Sequence, residues 1–161
     1  MNIVILGCGR VGAALAMKLD KAGHHVTVID SSNDSFQRLE PDFGGDMVVG
    51  NGVDEEILKR AGIKEADAFA AVTNGDNRNI MASQIAKKIF NVKQVVCRIY
   101  DPRRQTTYEQ LGLNSICPTL LGADLLFNAL EGHKTRLVID DEQPAVPTTP
   151  ATARNTKISS K

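Results

Sequence analysis

Apolar residues along the chain follow two alternating rhythms. Continuous runs occur at NIVILG (2–7), HVTVID (25–30), DMVVG (46–50), AFAAVT (68–73) and QVVCRI (94–99), and between them apolar positions recur every three or four residues. A run that is apolar at every position suits a strand covered on both faces, and the intervening period suits a crossover helix. The spacing predicts helices at 10–22, 32–40, 54–61, 77–90 and 103–111. In the first of these, Val11, Leu15 and Leu19 form one stripe, Lys18 and Lys21 point away, and Ala22-Gly23 supplies a stop. A second Ala-Gly at 61–62 ends the third helix in the same way. Strand and helix in strict alternation, joined by short connections, predict an α/β fold: an open, Rossmann-like doubly wound parallel sheet.

A short sixth strand is expected near 114–117, followed by TLLGADLLFNALEGH. There Leu120, Leu121, Ala123, Leu125, Leu126, Phe127 and Leu130 cover more than half of a helical circumference, which calls for more than one packing partner. Two readings stay open from period alone: a subunit interface, or a cover for the sheet edge of its own chain. From DDEQPAVPTTPATARNTKISSK onward Pro and Thr dominate and the apolar period vanishes, so a disordered tail is expected. The expected organisation is one domain over 1–135, then a short strand-like end and tail over 136–161.

Composition narrows the function classes. The chain has 161 residues, room for one core but not for a second catalytic domain. Lys plus Arg and Asp plus Glu both number 19, so no global field favours nucleic acid or anionic lipid. No run of about 18 apolar residues offers direct membrane insertion, and the opening NIVIL lacks a basic leader, so a cytoplasmic chain is expected. Cys8, Cys97 and Cys117 are odd in number, far apart and set among apolar or small residues, which suits reduced, buried thiols. With no CxxC or Cys/His cluster, no structural zinc is expected and no metal ligands are assigned; ion binding by the carboxylates of Asp76, Asp101 and Glu109 stays open, against the reading that scattered exposed acids are solvated.

The candidate chemistry centres on ILGCGRVGAALA (5–16). Gly7, Gly9 and Gly12 form G-x-G-x-x-G between an expected strand and an expected helix. The first glycine permits the tight turn, the second lets a phosphate approach the backbone, and the third allows helix and strand to pack closely. The helix N-terminus then presents N–H groups and a positive dipole end to an anion. Asp30, 18 residues beyond Gly12 at the end of the second run, is placed to accept from ribose hydroxyls, although it could instead cap the following helix. An acid there repels a 2′-phosphate, which favours NAD(H) or an adenine nucleotide (ATP, ADP or AMP) over NADP.

Arg10 interrupts the glycines with a charge that suits an extra phosphate, from its own site or across a dimer axis; the alternative is a solvated loop cation. Cys8 is either a redox-sensitive thiol or simply a residue small enough for the loop. Later strand ends carry Asn51 and Gly52, Thr73 and Asn74, and Arg98, where ligands of doubly wound sheets bind. With Val11 in the loop and Ser31 beside Asp30, the expected contact set is Gly7, Cys8, Gly9, Arg10, Val11, Gly12, Asp30, Ser31, Asn51, Gly52, Thr73, Asn74 and Arg98. His24 and His25 fall on the opposite edge as loop residues, and His133 near a helix end as a capping cation.

Taken together, GCGRVG, VIDSS, the long block from VVGNGVDEEILKRAG to TNGDNRNIMAS, CRIYDP and LGLNSICPT resemble the TrkA-N domain, the N-terminal domain of regulators of potassium conductance. The resemblance covers residues 2 to about 135. It implies a cytoplasmic regulatory subunit, peripheral to the membrane through a potassium channel or transporter partner, which dimerises or forms rings. It also implies binding of NAD(H) or adenine nucleotides, with Gly7, Gly9 and Gly12 on the phosphates, Asp30 on the ribose and Arg10 on the terminal phosphate of ATP. The apolar helix at 119–132 would be the family's dimer-exchange helix. Where the family usually reads Gly-Asp-Ala-Thr this chain has Gly50-Asn51-Gly52-Val53, replacing an acid near the adenine by an amide. Family members usually continue into a C-terminal ligand-binding lobe, where this chain runs into its Pro/Thr-rich segment.

Three functions are consistent with these residues: a nucleotide-sensing regulator, an NAD(H)-dependent oxidoreductase, and a redox sensor using Cys8. No catalytic residues are assigned. Neither Tyr100 nor Tyr108 has a lysine four residues on, since Arg104 and Gly112 occupy those positions. The regulator is the expected one.

Overall fold

A computed structural model describes residues 1–133 of the chain. The expected tail and the segment from 136 onward lie outside these residues. Six strands, β1 (Asn2–Leu6), β2 (His25–Asp30), β3 (Asp46–Val49), β4 (Ala68–Ala71), β5 (Gln94–Arg98) and β6 (Asn114–Ile116), form one sheet in the order β3-β2-β1-β4-β5-β6. All of its ladders are parallel. Ile3 pairs with Val26 on one side and with Ala68 on the other, so β1 is central.

The continuous apolar runs follow from burial on both faces. Along β1, Val4 and Leu6 join a cluster with Ile29, Leu58, Phe69 and Ala82, while Ile3 and Ile5 join another with Ala13, Ala16, Val26, Val28 and Phe36. Alternate side chains thus feed opposite layers, and a strand with two covered faces has no polar position to spare.

Helices α1 (Arg10–Lys21), α2 (Glu55–Arg60), α3 (Asp76–Lys88), α4 (Pro102–Gln110) and α5 (Pro118–Leu130) occupy the expected places. Local chemistry sets their ends. Asp54 accepts from Glu56 N–H at 2.9 Å to start α2, and Asp101 accepts from Arg103 N–H at 3.0 Å to start α4, with Pro102 in its first turn.

The segment expected as a helix at 32–40 is instead a 3₁₀ helix, Asn33–Arg38. Its Ser, Asn and Asp side chains compete for backbone partners, and Phe36 and Leu39 recur at three residues, which matches the tighter period. A second 3₁₀ turn, Ile63–Glu65, has no counterpart among the expected elements.

α5 settles one of the open readings. None of its residues is buried, and Leu126 and Leu130 are 68% and 87% exposed, so it does not serve as a cover for the sheet of its own chain. No helix among the described residues is long and apolar enough to cross a membrane.

Candidate functional site

The strand order switches direction between β1 and β4, and a crevice opens there outside the carboxyl ends of the strands. A cleft of about 1060 Å³ occupies this position. Its floor is the β1–α1 loop. Gly7 has φ +107°, a conformation that L side chains rarely adopt, and donates its N–H to Ile29 O at 2.7 Å. A Cβ on Gly12 would lie 1.8 Å from the Gly7 carbonyl oxygen, so only glycine lets α1 approach β1 this closely. Gly9 differs from both: a Cβ there would meet nothing within 4 Å, which leaves open space over the loop. Gly9 is also the N-cap of α1, and no side chain caps that helix end.

Asp30 holds the loop from the side. One carboxylate oxygen accepts from Cys8 N–H at 2.7 Å and the other from Ser32 N–H at 3.0 Å. A carboxylate offers about four acceptor directions, so two remain for hydroxyl donors. Burial pushes the Cys8 thiol above its ordinary value of 9.0, the nearby Asp30 charge adds to the rise, and Arg38 opposes both. Cys8 is fully buried, and the thiolate needed for redox chemistry is disfavoured.

The far wall is a polar bracket between β4 and β5. Asn79, fully buried on α3, accepts from Thr73 N–H at 2.9 Å and from Thr73 Oγ1 at 2.7 Å. Its amide donates to Thr73 O and Arg98 O, each at 2.9 Å. Arg98 Nη2 donates to the same Thr73 carbonyl at 2.7 Å, and its guanidinium carbon stands 4.6 Å from the centre of the Tyr100 ring. Asp76 closes the corner by accepting from Tyr100 N–H at 2.8 Å and Asp101 N–H at 3.2 Å.

Of the residues expected from sequence, Gly7, Gly9, Arg10, Val11, Asp30, Ser31, Asn51, Gly52, Thr73, Asn74 and Arg98 line this one cleft. Cys8 and Gly12 lie behind its wall. His25 is at the other end of the sheet, where it opens β2 and places Nε2 3.1 Å from Asp46.

The cleft also contains Arg38, Asn77, Arg78, Met81 and Tyr100, which are outside the contact set expected from the sequence. Arg78 stands in TNGDNRN (73–79), just after β4, and Arg38 eight residues after Asp30. Their clue was charge beside a strand end; Asn79, by contrast, carried no signal beyond its type. Charge is the unexpected property: four arginines, Arg10, Arg38, Arg78 and Arg98, face the cleft against one aspartate, in a chain whose basic and acidic residues balance at 19 each.

Comparison with known proteins agrees with this architecture. The family model for the TrkA-N domain matches residues 3–118. "Trk system potassium uptake protein TrkA" of Streptomyces coelicolor is 50% identical over 130 residues, 81% of this chain and 58% of that protein. The "Trk system potassium uptake protein TrkA homolog" of Pyrococcus abyssi is 34% identical over 111 residues, 69% of this chain and 49% of that protein. The chain thus spans roughly half the length of these relatives.

Two solved structures, GsuK bound to ADP and the GsuK channel bound to NAD, are each 26% identical with a TM-score of 0.69. Each covers 81% of this chain, which in turn spans 34% of the first and 23% of the second. With its parallel sheet, its glycine loop at the switch point and a family match over most of its described residues, the chain belongs to the TrkA-N domain family.

Proposed function

We propose that this chain is a nucleotide-binding regulatory domain of a potassium transport system. Its occupancy by NAD(H) or an adenine nucleotide biases an assembly that gates a membrane potassium channel or transporter. The observation that carries the reading is the cleft: four arginines line it together with the uncapped helix N-terminus at Gly9, a field suited to phosphate. The relatives named as Trk potassium uptake proteins, and a GsuK structure with ADP and another with NAD, supply the transport context and the ligand class.

In this reading Gly7, Gly9, Val11 and Gly12 shape the phosphate seat, Cys8 fills the space beneath it, and Arg10 meets a terminal phosphate. Asp30 and Ser31 take the ribose, Asn51 and Gly52 the adenine side, and Thr73, Asn74 and Arg98 the distal half. One domain over 1–135 carries this site, and α5, with no buried residue, is the element that pairs with a second copy. The domain works at the cytoplasmic face of its membrane partner, as a homodimer or larger ring. Binding shifts populations only through affinity differences between the assembly's states.

Calorimetry with ATP, ADP and NADH tests the proposal, alongside NADH absorbance with a panel of small carbonyl compounds. Saturable binding without NADH oxidation is expected. Turnover of NADH would replace the regulator by an oxidoreductase. Arg10→Ala should weaken ATP more than NADH, and equal losses would remove Arg10 from the terminal phosphate.

A further inference from the structure

Arg98 is 9% exposed, and its Nε has no hydrogen-bond partner among the described residues. It makes no ion pair among them either. Burial lowers its pKa, with Tyr100 and Asp76 opposing the fall. Asp76 makes neither a hydrogen bond nor an ion pair with it: the Asp76 carboxylate takes two backbone N–H groups and stands 3.8 Å from Arg104. A nearly buried guanidinium without a carboxylate is costly, because desolvation is not repaid by a counter-charge.

The architecture does not need this charge. The Thr73 carbonyl that Arg98 Nη2 reaches already accepts from Asn79, so the β4–β5 bracket stays satisfied without the guanidinium. The bond does fix the side chain's place. Thr73 abuts the glycine loop, where a Cβ on Gly7 would lie 3.0 Å from Thr73 N. The guanidinium is therefore drawn from β5 back to β4, beside the glycine loop on the cleft wall, and Tyr100 stacks against it.

We propose that Arg98 is a built counter-charge for a phosphate group of the nucleotide, supplied from the same chain and held unpaired until that phosphate arrives. This rests on the nucleotide reading of the cleft and deepens it: the ligand is a nucleoside di- or triphosphate or dinucleotide whose phosphates lean towards β4 and β5. The cost of the unpaired cation is carried by the empty domain and relieved on binding.

The test compares the full chain with Arg98→Met and Arg98→Lys, measuring ligand-free Tm and calorimetric affinities for ATP, ADP and adenosine. Arg98→Met should raise the ligand-free Tm by about 2–4 °C. It should also weaken ATP and ADP about tenfold or more and leave adenosine within about twofold, with Arg98→Lys between. A lower Tm together with equal losses for all three ligands would make Arg98 a structural bracket and overturn the proposal, as would unchanged ATP and ADP affinities.

Inorganic pyrophosphate separates this claim from the one beneath it. If the unmodified chain binds no nucleotide but gains Tm in pyrophosphate, and Arg98→Met abolishes the gain, the nucleotide reading fails and the anion subsite stands. If neither ligand acts on the unmodified chain, both fall.

Discussion

Gly12 and Asp30 show how single residues fix the loop's shape, Gly12 from behind its wall and Asp30 from the side. Adding one methyl at Gly12 forces a backbone contact of 1.8 Å that no rotamer change can relieve, so α1 must move off β1. Gly12→Ala should destabilise the domain by about 3 kcal/mol in urea unfolding. A cost under about 1 kcal/mol would show that the loop relaxes freely. The glycine spacing was readable in the sequence because a backbone constraint leaves a fixed mark on residue type. The partners of Asp30 were not: a carboxylate that accepts from Cys8 N–H and Ser32 N–H looks, in sequence, like any strand-end acid. Asn79 is the extreme case, since its four hydrogen bonds link residues 73 and 98, which nothing local connects.

Elements were legible wherever burial imposes a period. Six strands and five helices follow from alternation and stops, whereas Asn33–Arg38 departed because a six-residue polar turn has too little apolar pattern to distinguish a 3₁₀ from an α-helix. α5 poses the opposite problem, with abundant apolar residues and none of them buried against the described residues. Leu120, Leu121, Leu126, Phe127 and Leu130 are each at least 45% exposed. A Leu126→Asp/Phe127→Asp double variant should therefore turn a dimer or larger species into a monomer in analytical ultracentrifugation. Its circular dichroism should stay that of a folded α/β domain, because no buried contact within the chain is lost. Persistence of the larger species would place the interface elsewhere.

At the scale of the molecule, stability and charge pull in different directions. Cys8 and Cys97 are fully buried, and burial raises both thiol pKa values above 9.0. The folded state thus keeps two protons that the unfolded chain gives up first. Their contribution is present below the unfolded thiol pKa and is lost as pH rises through 9.0 towards the folded values. Urea unfolding between about pH 8 and 10 should show a falling stability that flattens in a Cys8→Ala/Cys97→Ala variant. An identical slope in that variant would assign the fall to other groups.

Strand order also bears on synthesis. The chain grows from its N-terminus, and β1 can pair early with β2 and, through it, with β3, which assembles the half of the cleft holding Asp30 and Asn51. The glycine-loop side is different, because Gly7 abuts Thr73, Gly12 lies against Val72, and the Thr73 carbonyl is bracketed only once Asn79 and Arg98 exist. A nascent chain therefore has no complete cleft until β5 has left the ribosome, and the last strand to join the site acts as its timer.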